Sequence, residues 1–365
     1  MAARARPVKS WPRRAALAKH DGVLTLDSAA LERLIHRSTG HASVSVTPMP
    51  GGASTRIYLR VATEERTAIA MFVPDGAPEE VTNGVATSTR WPFLEVHGLL
   101  SARGVRVPIV LGESCSEGLL LLEDLGDETL AAFLERAPER KAEVYQVAVR
   151  DLARAQGALD ALPEGSVVAG RAFDEKLLRW ELEHFREWGL DARDRALPEA
   201  ERAELDAVFD RLAQRIAAWP RGFVHRDYQS RNLMVHDRGG SLDLVWIDFQ
   251  DALLGPRVYD LVALLNDSYQ SFDRPFVEAR LDDFAAARGL DRAEREALRR
   301  EFDVVTVQRK LKDAGRFIFI DQVKKNPAFL PYFAPSLAKV SAALSRLSDE
   351  ADMRVLTRIV ARALA

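Results

Sequence analysis

The segment His225-Arg226-Asp227-Tyr228-Gln229-Ser230-Arg231-Asn232-Leu233-Met234-Val235 is followed, after a short interval, by Asp243-Leu244-Val245-Trp246-Ile247-Asp248-Phe249. Its first part has the form H-R-D-x-x-x-x-N, and Asp248 stands sixteen residues beyond Asn232, at the end of an apolar run. The apolar stretches 233–235 and 242–247 flank Asp237-Arg238-Gly239-Gly240-Ser241, a turn-forming sequence, so the spacing predicts a hairpin that returns Asp248 beside Asn232. Asp227 and Asn232 then sit at opposite ends of one short loop. Taken singly, each residue has an ordinary reading, Asp227 and Asn232 as turn or capping residues and Asp248 as a helix cap. Together they bring two carboxylates and one amide oxygen to one place.

That trio suits phosphoryl transfer. The reaction asks little covalent help of a protein, only an acceptor oriented in line and charge neutralised on the phosphate oxygens. One Asp can take the acceptor's proton, while an Asn carbonyl and a second Asp are the hard oxygen ligands that Mg²⁺ accepts, usually one or two carboxylates at a time.

Around this centre the chain changes character. Residues 44–48, 56–62 and 67–73 read as three short strands, parted by Gly51-Gly52 and by the charged turn Glu64-Glu65-Arg66. Residues 91–103 read as a helix closed by Gly104, and 107–111 and 119–122 as two further strands. From Thr129 onward apolar residues recur at spacings of three and four, which predicts helices over 139–162, 174–188, 199–219, 256–269, 275–288, 292–324, 335–347 and 349–364. A β-rich patch between Gly222 and Phe249 interrupts the series. The expectation is an α+β chain of two lobes: a flexible basic tail at 1–22, a small antiparallel β lobe at 23–122, a hinge at 123–127, and a larger, mostly helical lobe at 128–365. A ligand cleft is expected between the lobes.

Composition narrows the classes. A chain of 365 residues with 47% hydrophobic and 29% charged content is ordinary globular material, long enough for two lobes. The formal charge of −3 argues against a protein-wide nucleic-acid surface. No apolar run approaches the roughly 20 residues of a membrane span, so no membrane partner is expected. The single cysteine, Cys115, excludes an intrachain disulfide and fits a reducing cytoplasm. Arg4, Arg6, Lys9, Arg13, Arg14 and Lys19 make the first twenty residues basic, without the apolar centre of a signal peptide.

The stretch His225 to Tyr269 strongly resembles the aminoglycoside phosphotransferase/choline kinase superfamily, which shares the protein-kinase fold. Asp248-Phe249-Gln250-Asp251-Ala252, Gly255-Pro256 and Tyr259-Asp260-Leu261-Val262-Ala263-Leu264-Leu265 are similar to one branch, the anomeric sugar kinases that phosphorylate N-acetylmuramate and N-acetylglucosamine in cell-wall recycling. Two more segments resemble that branch: Leu178, Glu181, Phe185 and Trp188 in L-x-x-E-x-x-x-F-x-x-W, and Gln308-Arg309-Lys310-Leu311-Lys312, Gly315 and Phe317 in Q-R-x-L-K-x-x-G-x-F. The likeness runs from about 45 to 347.

The resemblance implies an ATP-dependent phosphotransferase using Mg²⁺, with a small sugar as partner. Asp227 would be the catalytic base, Asn232 and Asp248 the metal ligands, Asp260 the residue holding the catalytic loop, and His225 a structural member of it. Gly51, Gly52, Ala53, Ser54 and Thr55 would approach the nucleotide phosphates, although a Gly-Gly hairpin turn fits those residues equally well. Adenine would lie against backbone around 122–125, involving Glu123 and Leu125. The family's third-strand lysine is replaced by Met71, which offers no charge. Arg60, or Arg56, becomes the candidate phosphate cation, and the usual role of Glu95 as that lysine's partner lapses. Arg231, Gln250, Asp251, Glu181 and Arg309 are expected toward the acceptor, with Lys312 as a further cation. Interhelix salt bridges are the plainer reading of the helix residues, and core or rim packing that of Trp180 and Trp188. Two other functions suit the same residues: a kinase for an aminoglycoside, choline or homoserine, and a nucleotide-binding module of little catalytic power.

Overall fold

A computed structural model describes residues 25–50, 56–74 and 91–364. The tail at 1–22 and the segment Gly51, Gly52, Ala53, Ser54 and Thr55 lie outside the described residues. The chain divides into two compact units, one of residues 1–79 with 108–124, the other of 80–107 with 125–365.

Among the described residues, the first unit is a five-stranded antiparallel sheet with one α-helix. Its strands are β1 (Ser45–Pro48), β2 (Ile57–Ala62), β3 (Thr67–Phe72), β4 (Val110–Ser114) and β5 (Leu119–Glu123), in the order β1-β2-β3-β5-β4. Period-two alternation sends Leu59, Val61, Ala68, Ala70, Leu119 and Leu121 to one face. The helix Ser28–Thr39 lays Leu31, Leu34 and Ile35 on that face. Its start is fixed by Asp27, whose carboxylate accepts from Ala29 N–H, and its end by Gly40 at φ 78. Met71 is buried on the opposite side of the sheet, opposite Tyr58 and Leu120 in the ladder. The strand expected at 107–111 begins later, at Val110, because a bulge between Val110 and Gly112 resets its register on β5.

The second unit is mainly helical. The helix Pro92–Ala102, expected in the β lobe, belongs here, and Phe93 packs against Phe249 with ring centroids 4.9 Å apart. The long helix Arg292–Gln322 opens with a capping box built by Asp291 and Glu294 and runs through the core. The helix Glu175–His184 packs beside it and continues as a π-helical turn, Phe185–Leu190. The two axes meet so closely that a Cβ at Gly315 would stand 2.5 Å from His184 O. Two small ribbons interrupt the helices: β6 (Arg221–Val224) pairs with β9 (Leu253–Pro256), and β7 (Leu233–Arg238) with β8 (Ser241–Trp246). The helix expected over 256–269 is therefore shorter, Tyr259–Leu265, because Leu253–Pro256 is drawn into a ladder with a strand some thirty residues earlier.

Candidate active site

The ribbons set the site. The loop 225–232 joins β6 to β7, and the loop 247–252 joins β8 to β9. Since β6 pairs with β9 and β7 with β8, both loops begin and end on paired strands and are forced against each other. Ile247 N–H donates to Asn232 O at 3.0 Å, and His225 Nε2 lies 3.1 Å from Ile247 O. The predicted hairpin is present, with Gly239 and Gly240 at positive φ in its turn.

Two residues in these loops occupy the left-handed region that non-glycine side chains avoid, Arg226 at φ 81 and Asp248 at φ 62. Such backbone persists only where its surroundings fix it. Asp260, buried at the start of the Tyr259–Leu265 helix, accepts from His225 N–H at 2.7 Å and from Arg226 N–H at 3.0 Å. Burial pushes its carboxyl up to about 7, against the pull of those two N–H groups and of Arg309. His225 is fully buried, with Nδ1 accepting from Asp227 N–H at 3.3 Å, and burial lowers its pKa. A neutral ring protonated on Nε2 satisfies both contacts.

Asp227 keeps 37% of its side chain exposed, so its carboxylate is reachable from outside the loop. Desolvation would raise its pKa, but Arg309, Arg226 and Lys312 outweigh that and hold it below the usual carboxylate range. Arg309 approaches Asp227 Oδ1 at 3.4 Å, donates to Arg226 O at 2.8 Å, and lies 4.7 Å from the Tyr259 ring centre. Asn232 donates its amide nitrogen to Asp227 O at 2.9 Å, which turns its carbonyl oxygen the other way. Gln250 Nε2 donates to Asp248 Oδ1 at 2.9 Å and to Asp251 Oδ2 at 3.2 Å. The geometry is thus one reachable carboxylate beside an outward amide oxygen, with a second carboxylate on the facing loop.

A model of the phosphotransferase enzyme family matches residues 45–299. The chain belongs to the phosphotransferase enzyme family. This phosphotransferase is 31% identical over 334 residues to the N-acetylmuramate/N-acetylglucosamine kinase of Pseudomonas aeruginosa, covering 90% of this chain and 92% of that one. It is 32% identical over 310 residues to the protein of the same name from Neisseria meningitidis, covering 81% and 85%. Among solved structures it resembles spectinomycin phosphotransferase in complex with ADP and spectinomycin, at TM-score 0.58 and 13% identity over 93% of this chain and 98% of the other. The microcompartment-associated aminopropanol kinase gives TM-score 0.57 and 15% identity over 88% and 98%. These structural likenesses carry the two-lobed kinase-like fold.

The acceptor side of the phosphotransferase departs from expectation. Glu181 and Arg309 do not stand open on a pocket wall. Glu181 is fully buried, accepts from Gln308 Nε2 at 2.8 Å, and faces Arg226 at 4.0 Å. Arg309, 2% exposed, is occupied with the loop at Arg226 and Asp227. Gln250 is likewise buried and turned to Asp248. Asp251 lies beside Gln250 and near Arg171, whose guanidinium donates to Gln250 O at 3.0 Å. Arg231 remains exposed, its guanidinium 3.5 Å from the Tyr269 ring centre. Trp180 is a rim aromatic, 47% exposed and stacked on His184.

In the first unit, Arg60 pairs with Asp124 at 2.9 Å, which ties this cation to the end of β5. Glu123 accepts from Ile109 N–H through its side chain at 2.9 Å, and in the second unit Leu125 O lies 3.3 Å from His236 Nε2. One support had no motif to announce it. Buried Ser230 donates from N–H at 2.8 Å and from Oγ at 2.5 Å to Asp267, whose own backbone carbonyl is taken by Lys339.

Proposed function

We propose that this phosphotransferase carries the γ-phosphoryl group of ATP to the anomeric hydroxyl of N-acetylmuramate or N-acetylglucosamine, in the cytoplasm, as part of cell-wall recycling. The supporting observation is the meeting of Asp227, Asn232 and Asp248 on two facing loops, in a chain 31% identical over 334 residues to a kinase named for those two sugars.

Asp227 serves as the proton acceptor. A carboxylate held below its ordinary pKa is a weak base, so its first task is to orient the hydroxyl. It takes the proton late, as bonding to phosphorus develops. Its cationic neighbours stabilise the negative charge that crowds the site. Asn232 Oδ1 and the Asp248 carboxylate are the residues that would hold Mg²⁺. An all-oxygen pair containing one carboxylate fits that ion. When bound, Mg²⁺ neutralises phosphate charge. Gln250 fixes the orientation of Asp248, and Asp260 that of the Asp227 loop. The Gly51–Thr55 segment and the backbone near Glu123, in the first unit, and the backbone near Leu125, in the second, serve the nucleotide.

The test is ADP release with Mg²⁺-ATP against N-acetylmuramate, N-acetylglucosamine, glucose, kanamycin, choline and homoserine, with Asp227→Asn as control. Turnover on an N-acetylated sugar, lost in the control, with an acid-labile and alkali-stable product, is expected. Turnover only on kanamycin, choline or homoserine would replace this acceptor with another. ATP binding without turnover on any of them would leave a nucleotide-binding module.

A further inference from the structure

Arg231 is the fourth residue after Asp227 and the one before Asn232. The backbone on either side of it is fixed. Ser230 is bound through both N–H and Oγ to Asp267, and Asn232 N–H donates to Gln229 O at 2.8 Å. The side chain leaves this rigid frame and lies over Tyr269 at 3.5 Å from the ring centre, with one long hydrogen bond of 3.3 Å to Tyr332 Oη. Tyr269 and Tyr332 meet edge to face at 4.8 Å, so the seat is itself rigid.

Among the described residues, the other cations around this loop are committed or largely buried; Arg226 is 15% exposed and faces Glu181 at 4.0 Å. Arg309 serves Arg226 O and Asp227, Lys310 binds Ser268 and Asp313, and Lys312 pairs with Asp313 at 2.9 Å. Arg231 differs in being exposed and in having most of its five N–H donors uncommitted. A guanidinium lying on an aromatic face points its donors outward in its own plane, the geometry that takes a carboxylate through two parallel hydrogen bonds. Because the seat is already formed, little ordering entropy opposes that contact.

We propose that Arg231, seated on Tyr269 beside Tyr332, binds a carboxylate carried by the acceptor and gives the enzyme a preference for an acidic N-acetylated sugar over a neutral one. This rests on the acceptor class proposed above. N-acetylmuramate carries such a carboxylate on its lactyl group, and N-acetylglucosamine does not.

The experiment measures kcat/KM of the wild type, Arg231→Gln and Arg231→Lys on N-acetylmuramate, on its lactyl methyl ester and on N-acetylglucosamine, with melting temperatures to verify folding. A hydrogen bond to a charged group corresponds to roughly a ten- to hundredfold preference of the wild type for the acid over its ester. Arg231→Gln should bring that ratio to within about threefold of unity, and Arg231→Lys should retain part of it, as a point charge without the fork. Losses of equal size on acid and ester would overturn the assignment and give Arg231 to the transferred phosphoryl group instead. A wild type indifferent to the ester would overturn it as well. Wild-type turnover of N-acetylglucosamine tests the acceptor class separately: if neither sugar reacts, the acceptor class falls and the carboxylate contact falls with it.

Discussion

Replacing Asp260 by Asn removes a charge and almost no volume. The carboxylate now accepts from His225 N–H and Arg226 N–H, at 2.7 and 3.0 Å, and thereby holds Arg226 at φ 81. An amide has one oxygen, so in Asp260→Asn one of those N–H groups faces an NH₂ group. Hydrogen bonds to a charged group contribute about 1.5–3 kcal/mol each, and a buried N–H left unmet costs about 1–3 kcal/mol. The left-handed conformation of a non-glycine residue costs a further 1–2 kcal/mol or so, which nothing then restrains. Against this, the variant is spared the burial of a charge. Thermal stability should therefore change little, while the Asp227 loop loses its clamp.

If about 2.7 kcal/mol of clamp energy goes into misplacing Asp227, kcat falls roughly a hundredfold, at nearly constant KM for ATP. The pH dependence gives a second readout. The Asp260 carboxyl, at about 7 rather than its ordinary 3.8, holds a proton in the folded state that the unfolded chain has already lost. Its favourable contribution is therefore full below about pH 4 and declines as pH rises through about 7. Asp260→Asn should flatten that slope in melting temperature between pH 5 and 7. Steady-state ADP release and thermal melts across pH measure both. A variant whose kcat stays within threefold of wild type would refute the clamp.

Other perturbations test other contacts. Arg309→Met removes the strongest cationic influence on Asp227, so the acidic limb of the kcat/KM profile should move to higher pH. An unmoved limb would separate Arg309 from Asp227. Gly315→Ala places a Cβ 2.5 Å from His184 O and 2.8 Å from its carbonyl carbon, backbone that cannot step aside. A loss of about 2–3 kcal/mol and a melting temperature lower by roughly 5–10 °C are expected, and an unchanged melt would contradict the tight crossing. Stripping divalent ions with EDTA should abolish turnover, Mg²⁺ should restore it and Zn²⁺ should not, since Asn232 and Asp248 offer only oxygen. Undiminished activity in EDTA would exclude the metal role of those two residues.

The hairpin of the candidate site was legible in sequence because everything that makes it is local: the turn at 237–241, the apolar runs beside it, and the trio spaced around it. The helix Ser28–Thr39 was missed although its capping pair, Asp27 and Gly40, stood in plain view, because its apolar positions lie in a region otherwise read as strands. Long-range pairing explains the other misses. Leu253–Pro256 looks like the beginning of a helix until β6 claims it. Glu181 and Arg309 look like polar helix residues facing a ligand, yet each is buried against a partner far away in the chain, Glu181 on Gln308 and Arg309 on the loop at Arg226 and Asp227. Asp267 belongs to no motif and was invisible until the fold placed it on Ser230. The motif L-x-x-E-x-x-x-F-x-x-W gains a physical meaning here: Leu178, Glu181 and Phe185 are buried on an element that packs beside the long helix, and the Phe185 end is the place where Gly315 must have no side chain.

These buried charges bear on mechanism more than on stability. An ion pair taken out of water often contributes no more than a well-packed apolar pair of the same volume, because desolvation offsets the attraction. A seam running Glu181, Arg226, Asp227, Arg309 and on to Lys310 and Asp313 is therefore poorly accounted for as cement. What it does supply is position. Asp260 fixes the loop before Asp227, Asp267 fixes it at Ser230, and Arg309 grips both the Arg226 carbonyl and the Asp227 carboxylate. As the proposed base, Asp227 gains little from proton affinity beside its cationic neighbours, so its usefulness depends on where it stands. The three anchors leave it in one place before any acceptor arrives, and the same frame presents Arg231 to solvent on its tyrosine seat.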